Sequence, residues 1–267
     1  MSEPPFTRLA IAGAGLMGTS VGQAASGAWP GIDVRLLDAG DDLSALAEAD
    51  LVILAAPVRA NVALLETIEP HLRRATVVTD TGSTKRAICA AAASRPSLVF
   101  VGGHPMAGGA RGGAANARAD LFSGRPWILT PAPGTPTDAI TRLDAFVSGL
   151  GAVPHVMTPE LHDRFVGAVS HLPQLTASAL MHVVGRLAGD AGLEIAGAGL
   201  LDTTRLAASP PGIWKDIGAT NQDVLREALD HLIRALTEVR DTLDTGEGID
   251  AVFTSACRWR TALDRAR

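Results

Sequence analysis

Residues 13–18, Gly13-Ala14-Gly15-Leu16-Met17-Gly18, decide the fold. The apolar run Leu9-Ala10-Ile11-Ala12 before them reads as a buried strand, and Thr19-Ser20-Val21-Gly22-Gln23-Ala24 after them continues a helix. A G-x-G-x-x-G spacing recurs by chance in a chain with 28 glycines. Between a strand and a helix it is the fingerprint of a dinucleotide-binding turn. The first glycine makes the turn, the second lets a pyrophosphate approach the backbone, and the third lets helix pack on strand. The helix N-terminus adds unpaired N–H groups and the positive end of its dipole. Gly13, Gly15, Leu16, Met17 and Gly18 are therefore the first candidate cofactor-binding residues.

Strand two, residues 33–38, ends on Asp38, 20 residues after Gly18. A carboxylate there accepts hydrogen bonds from ribose hydroxyls and repels a 2′-phosphate, so NAD is the expected cofactor. Asp41 and Asp42 strengthen that charge. The competing reading of Asp38 is an ordinary turn aspartate. Strand three, residues 51–55, runs into Ala56 and Pro57, at the carboxyl edge where doubly wound sheets bind ligands. Strand four, residues 76–80, leads into Thr81-Gly82-Ser83-Thr84-Lys85. Ser83 or Thr84 can cap the next helix, and Ser83 can also face a ligand. Strand five, residues 98–101, delivers Gly102-Gly103-His104-Pro105 to the same edge. The sequence puts His104 on a loop past this strand. Its imidazole suits proton transfer near neutral pH, against the alternative of a surface histidine.

Residues 108–118 read as a mobile Gly/Ala-rich loop. Strand 127–130, helix 138–150 and strand 153–156 follow. Alternating strands and helices predict a Rossmann-type, doubly wound, mainly parallel α/β domain over residues 1–157. From Pro159 the period becomes helical, with Leu161, Phe165, Val169 and Leu172 recurring. Pro173 must kink or interrupt this helix beside His171. Helix continues over 175–188, and an Ala/Gly-rich segment ends at Asp202-Thr203-Thr204-Arg205. Ser209-Pro210-Pro211-Gly212 then breaks the chain before Ile213-Trp214-Lys215-Asp216-Ile217. Val224, Leu225, Leu229, Leu232, Ile233, Leu236, Val239 and Leu243 form one stripe of a helix over 221–243. Residues 158–267 are thus expected to be an all-α domain that makes a homodimer.

Composition excludes several functions. The net charge of −5, without a basic run, argues against nucleic acid as a partner. No apolar run approaches the roughly 18 residues of a membrane span. The N-terminus lacks a charged-then-apolar signal layout, so the cytoplasm is the expected compartment. Cys89 and Cys257 make no disulfide framework and no cysteine-rich zinc site, and no metal is expected. The chain has no tyrosine, which removes every mechanism with a tyrosine acid.

Several separated segments then coincide: GAGLMGTS, TDTGSTK, GGHPMAG, ADLFSGRPWILTP, HDRFVGAVSHLPQ and DTTRLAASPPGIWKDI. In this order and spacing the chain resembles the prephenate/arogenate dehydrogenase family over nearly its whole length. The resemblance implies NAD-dependent oxidative decarboxylation of prephenate to 4-hydroxyphenylpyruvate, in tyrosine biosynthesis. It implies His104 as the catalytic histidine at the C4 hydroxyl, with Ser83 near the same hydroxyl and the nicotinamide. It implies Arg205 holding a substrate carboxylate, His171 on the substrate side, and Asp202 and Trp214 lining the pocket. By themselves, Arg205 reads equally as a surface ion-pair residue and Trp214 as core. Many prephenate-using members carry a glutamate six residues after the histidine; that position here is Ala110. Arogenate and 4-amino-4-deoxyprephenate therefore stay open as substrates.

Two other readings compete. A β-hydroxyacid or 6-phosphogluconate-type dehydrogenase would need a lysine on the long helix, and residues 159–189 contain none. A non-catalytic NAD-sensing Rossmann protein would keep Gly13–Gly18 and Asp38 without needing His104, Ser83 and Arg205 together.

Overall fold

The computed structural model describes residues 3–108 and 112–266. Seven strands form one sheet in the order β2-β1-β3-β4-β5-β6-β7. These are β1 (Arg8–Ala12), β2 (Asp33–Leu37), β3 (Leu51–Leu54), β4 (Val77–Asp80), β5 (Val99–Pro105), β6 (Pro126–Pro131) and β7 (Val153–Val156). All neighbours pair in parallel except β5 and β6, where Gly103 lies opposite Leu129 and His104 opposite Ile128. The doubly wound, mainly parallel sheet expected from the sequence is present.

The sheet is covered on both faces, since every residue of β3 and β4 is buried and β3 is apolar throughout. Leu9 and Ile11 of β1 and Leu51 and Ile53 of β3 point to one face. Val21, Ala24 and Ala25 of α1 (Leu16–Ala28) and Leu143, Phe146 and Val147 of α4 (Thr137–Gly149) cover it. Ala10, Ala12, Val52 and Leu54 point the other way. There they meet Leu65 and Ile68 of α2 (Val58–Ile68) and Ile88 and Ala92 of α3 (Arg86–Ala93). This alternation follows from the period of two along a strand.

Helix α5 (Pro159–Val166) opens on Thr158, whose hydroxyl accepts the Leu161 N–H. A π-helical turn, Gly167–His171, joins it to α6 (Leu172–Leu193). Pro173 lies in the first turn of α6, where its missing N–H costs least, and the wide turn precedes it. Gly189, at φ +58°, interrupts α6. The apolar residues that mark α5 by their spacing are not its buried face. Phe165 and Val169 are exposed, while His162, Asp163 and His171 are buried. The reason is chemical: His162 and Asp163 bond each other and the sheet domain.

The short helix α7 (Ala198–Thr204) and α8 (Pro211–Thr220) complete a compact unit, Met1–Asn221. A second unit, Gln222–Arg267, is a helical hairpin of α9 (Gln222–Asp241) and α10 (Glu247–Arg265). Among the described residues no helix is long and apolar enough to cross a membrane.

Candidate active site

The glycine turn has the geometry that its sequence requires. Gly13 has φ +120°, and its N–H donates to the Leu37 carbonyl at 2.8 Å. A Cβ on Gly18 would lie 2.0 Å from the Gly13 carbonyl oxygen, so only glycine lets α1 approach β1 this closely. Gly15 is different: a Cβ there would meet nothing within 4 Å. Gly15 also precedes α1 with no side-chain cap, leaving the N–H groups at Leu16, Met17 and Gly18 available. An open cradle of backbone donors at a helix N-terminus fits a pyrophosphate.

Asp38 lies exposed just past β2, and its Oδ1 accepts the Ala39 N–H at 2.9 Å. Asp41 accepts the Asp38 N–H, which turns this second carboxylate back on the loop. Ala56 and Pro57 lie past β3. The buried Asn61 shapes this turn, accepting the Ala56 N–H at 3.1 Å and donating to the Leu54 carbonyl at 3.2 Å.

The β4–α3 loop departs from expectation. Neither Ser83 nor Thr84 caps α3; no side-chain cap is local to that helix. The Thr84 hydroxyl pairs with Thr220 at 2.8 Å. The cap comes from α5 instead. Asp163 accepts the Lys85 N–H at 2.7 Å and the Arg86 N–H at 3.0 Å. A buried carboxylate thus sits on the positive end of α3. Ser83 is partly buried.

Lys85 is fully buried. Its ammonium donates to the Asp80 carboxylate and, at 2.7 Å, to the Gly103 carbonyl. Asp80 also accepts the N–H groups of Gly82 and Gly103 at 2.7 and 3.0 Å. This pair fastens the β4–α3 loop to β5 one residue before His104.

His104 belongs to β5 and is buried, not on the surface loop that the sequence suggests. The strand runs four residues further than its apolar core because Gly102 to Pro105 pair with β6. Its Nδ1 lies 2.8 Å from His162 Nε2, and His162 Nδ1 lies 2.7 Å from Asp163 Oδ1. Burial, aided by His162 and the Lys85 ammonium, holds the His104 pKa well below the usual histidine range. Burial likewise lowers His162. Burial pushes the Asp163 carboxyl up, but His162 and the two backbone donors outweigh it, and the net shift is downward.

His171 is buried in the π turn, and burial lowers its pKa to about 4. Its ring meets Trp214 edge-on, with centroids 6.0 Å apart. His171 Nδ1 and Trp214 Nε1 are both buried without a hydrogen-bond partner. Such orphaned donors and acceptors call for a polar ligand. Helix α8 holds Trp214 in place through Asp216, which accepts Arg59 Nε at 2.8 Å, and through Asn221, which donates to the Asp163 carbonyl at 2.9 Å.

Asp202 and Arg205 are exposed, on α7 and the short turn after it. That turn is tied to α6 by Gln174, which donates to the Leu206 carbonyl at 2.7 Å. Contacts therefore join His104 with His162 and His171 with Trp214, and none of them reaches Arg205 or Asp202. Ala110 lies outside the described residues. Cys89 is no nucleophile, since burial pushes its thiol up to about 11. Among the described residues no trio of His, Cys, Asp or Glu is disposed to hold a metal ion.

Sequence reasoning singled out neither His162, Asp163, Asp80, Lys85, Asn61 nor Asp216. The signal for five of them was in plain sight, because TDTGSTK, HDRFVGAVSHLPQ and DTTRLAASPPGIWKDI contain all but Asn61.

Comparison with known proteins identifies the family of the chain. A family model described as prephenate dehydrogenase, nucleotide-binding domain, matches residues 14–156. A second, prephenate dehydrogenase, dimerization domain, matches residues 158–252. The cyclohexadienyl dehydrogenase of Zymomonas mobilis is 32% identical over 91% of this chain and 90% of its own length. The solved arogenate dehydrogenase of Synechocystis is 26% identical with a TM-score of 0.79, covering 97% of this chain and 100% of that one. The fold is also that of an Aquifex aeolicus prephenate dehydrogenase solved with hydroxyphenyl propionate and NAD+ (24% identical, TM-score 0.85, covering 98% and 99% of the two chains). The chain belongs to the prephenate dehydrogenase family of NAD-dependent oxidoreductases.

Proposed function

We propose that this chain oxidatively decarboxylates prephenate to 4-hydroxyphenylpyruvate with NAD, using His104 as the base at the C4 hydroxyl. The observation that carries this reading is His104 itself. It is a buried imidazole kept neutral at the carboxyl edge of the sheet, with one ring nitrogen occupied by His162. A neutral imidazole can accept a proton; an imidazolium cannot.

NAD, when bound, supplies the acceptor for the C4 hydride. The Gly13–Gly18 turn would hold its pyrophosphate, Asp38 its ribose, and Ala56 and Pro57 the edge beside it. His104 takes the hydroxyl proton as C4 gains carbonyl character. The ring carboxylate leaves as CO₂, its bonding pair completes the aromatic ring, and His104 returns the proton to the phenolic oxygen. Ser83 lies on the β4–α3 loop, suited to hydrogen-bond that same oxygen. Arg205 supplies a planar guanidinium for a substrate carboxylate. His171 and Trp214, with their unpartnered nitrogens, line the substrate side, and Asp202 the rim. The dimerisation-domain match supports a homodimer, as do the exposed Val183 and Leu187 of α6 and Phe253 and Trp259 of α10.

The test is NADH formation with prephenate and with arogenate, each with NAD and with NADP. Turnover of prephenate with NAD is expected. Replacing His104 by Asn should lower kcat by about 10²–10⁴-fold while NAD still binds. Unchanged turnover in that variant refutes the base. Turnover of arogenate alone, or of the 4-amino analogue alone, keeps the chemistry and moves the substrate.

A further inference from the structure

We infer that Asp163 and His162 form a fixed hydrogen-bond chain that sets the tautomer of His104, placing its proton on Nδ1 and leaving Nε2 as the lone pair that attacks. This inference rests on the reading of His104 as the base. It assigns positioning roles to two residues that do not touch the substrate.

The argument runs from one end of the chain to the other. Asp163 is fully buried, and it meets the backbone N–H groups of Lys85 and Arg86 and, at 3.2 Å, Arg86 Nε. All three can only donate, so Asp163 is an acceptor, a carboxylate. His162 Nδ1, 2.7 Å from Asp163 Oδ1, must therefore carry a hydrogen. A neutral imidazole has one N–H, so His162 Nε2 is a lone pair. His104 Nδ1, 2.8 Å from that lone pair, must then be the donor. One nitrogen of His104 is left without a hydrogen, and it is Nε2.

The same chain serves the reacting state. When Nε2 takes the hydroxyl proton, the new imidazolium donates through Nδ1 to His162, which leans on the Asp163 carboxylate. That opposes the cost of a cation beside the Lys85 ammonium, which is itself neutralised by Asp80. His171 is kept neutral nearby and adds no charge. The chain also crosses the molecule, since His104 is on β5 and its two supporters are on α5. The base has its working tautomer only where α5 is docked on α3.

The experiment compares His162→Leu with His162→Gln, whose side-chain oxygen can accept from His104 Nδ1. Nitrogen-15 NMR of histidine-labelled protein, with His104 assigned by loss of its signal in His104→Asn, reads the tautomer directly. In the wild type, His104 is expected to carry its proton on Nδ1. His162→Leu is expected to lower kcat on the order of 10²-fold, with KM and NAD affinity held and the His104 proton shifted toward Nε2. His162→Gln should recover at least about tenfold of that loss and restore the Nδ1 tautomer. Wild-type His104 protonated on Nε2 overturns the inference, as does His162→Leu with full kcat while His104→Asn is inactive. If His162→Leu does not fold, the wild-type tautomer alone decides. An active His104→Asn variant removes the base itself, a separate failure.

Discussion

Acid should unfold this protein by protonating histidines that the fold keeps neutral, and His171 makes the effect calculable. Its pKa is about 4 in the folded chain, against an ordinary value near 6.5 in the unfolded one. Between those values the unfolded state binds more protons, so stability rises with pH and is lost as pH falls below about 6.5. The full difference corresponds to about 3 kcal/mol, reached below the folded pKa; between about pH 7.5 and pH 5 it is about 2 kcal/mol. Set against a typical total of about 5–15 kcal/mol, that is a large share. His104 and His162 are also lowered by burial and steepen the same acid limb. The perturbation is therefore His171→Gln, which removes one of three such groups. Urea unfolding without cofactor, at one protein concentration across this pH range, should show the variant losing about 2 kcal/mol less than wild type on acidification. The absolute stability of the variant does not matter; only the slope does. Parallel pH curves would refute the claim that His171 is buried and neutral.

The Lys85–Asp80 pair gives a second expectation. Lys85→Met leaves a fully buried carboxylate without its counter-charge and should cost about 3–5 kcal/mol. That lowers Tm by roughly 6–20 °C for a chain of this size, and Asp80→Asn in the same chain should return most of it. A loss below about 1 kcal/mol in the single variant would show that the pair is dispensable. Arg205 behaves oppositely. Because it is exposed, Arg205→Ala should leave stability within about 0.5 kcal/mol of wild type while raising KM for the dicarboxylate substrate. An unaltered KM would remove it from the substrate site.

Where burial follows hydrophobicity, the sequence is easy to read. Leu9 to Ala12 and Leu51 to Leu54 alternate between two apolar cores, so both strands and the helices over them follow from pattern alone. The site breaks that rule. Lys85, Asp80, His162 and Asp163 are polar and fully buried, and a pattern-based reading sends such residues to the surface. Their burial is tolerable only because they satisfy one another, a fact of three-dimensional pairing that spacing does not encode. The same blindness put His104 on a loop, since Gly102-Gly103 looks like the end of a strand. It also hid the trans-acting cap, because Ser83 and Thr84 are the residues that propensity favours at that place. Helix α10 carries its period in the sequence, with Ile249, Val252, Phe253, Ala256 and Trp259 recurring at helical spacing.

The π turn at Gly167–His171 makes the length of this stretch as informative as its composition. A turn with i→i+5 bonds holds one residue more than an α turn, so it acts as a built-in insertion. Asp163, Gly167, His171 and Gln174 are buried within it and on both sides of it, so the extra residue is taken up without turning the buried face outward. Deleting one residue between Val166 and Leu172 would close the turn to an α-helix and leave the helices on either side near their present phase, while re-aiming the side chains inside the turn, His171 among them. Surface loops absorb gains and losses of single residues. The π turn does the same inside a helix, taking up one residue between α5, which supports the base, and α6.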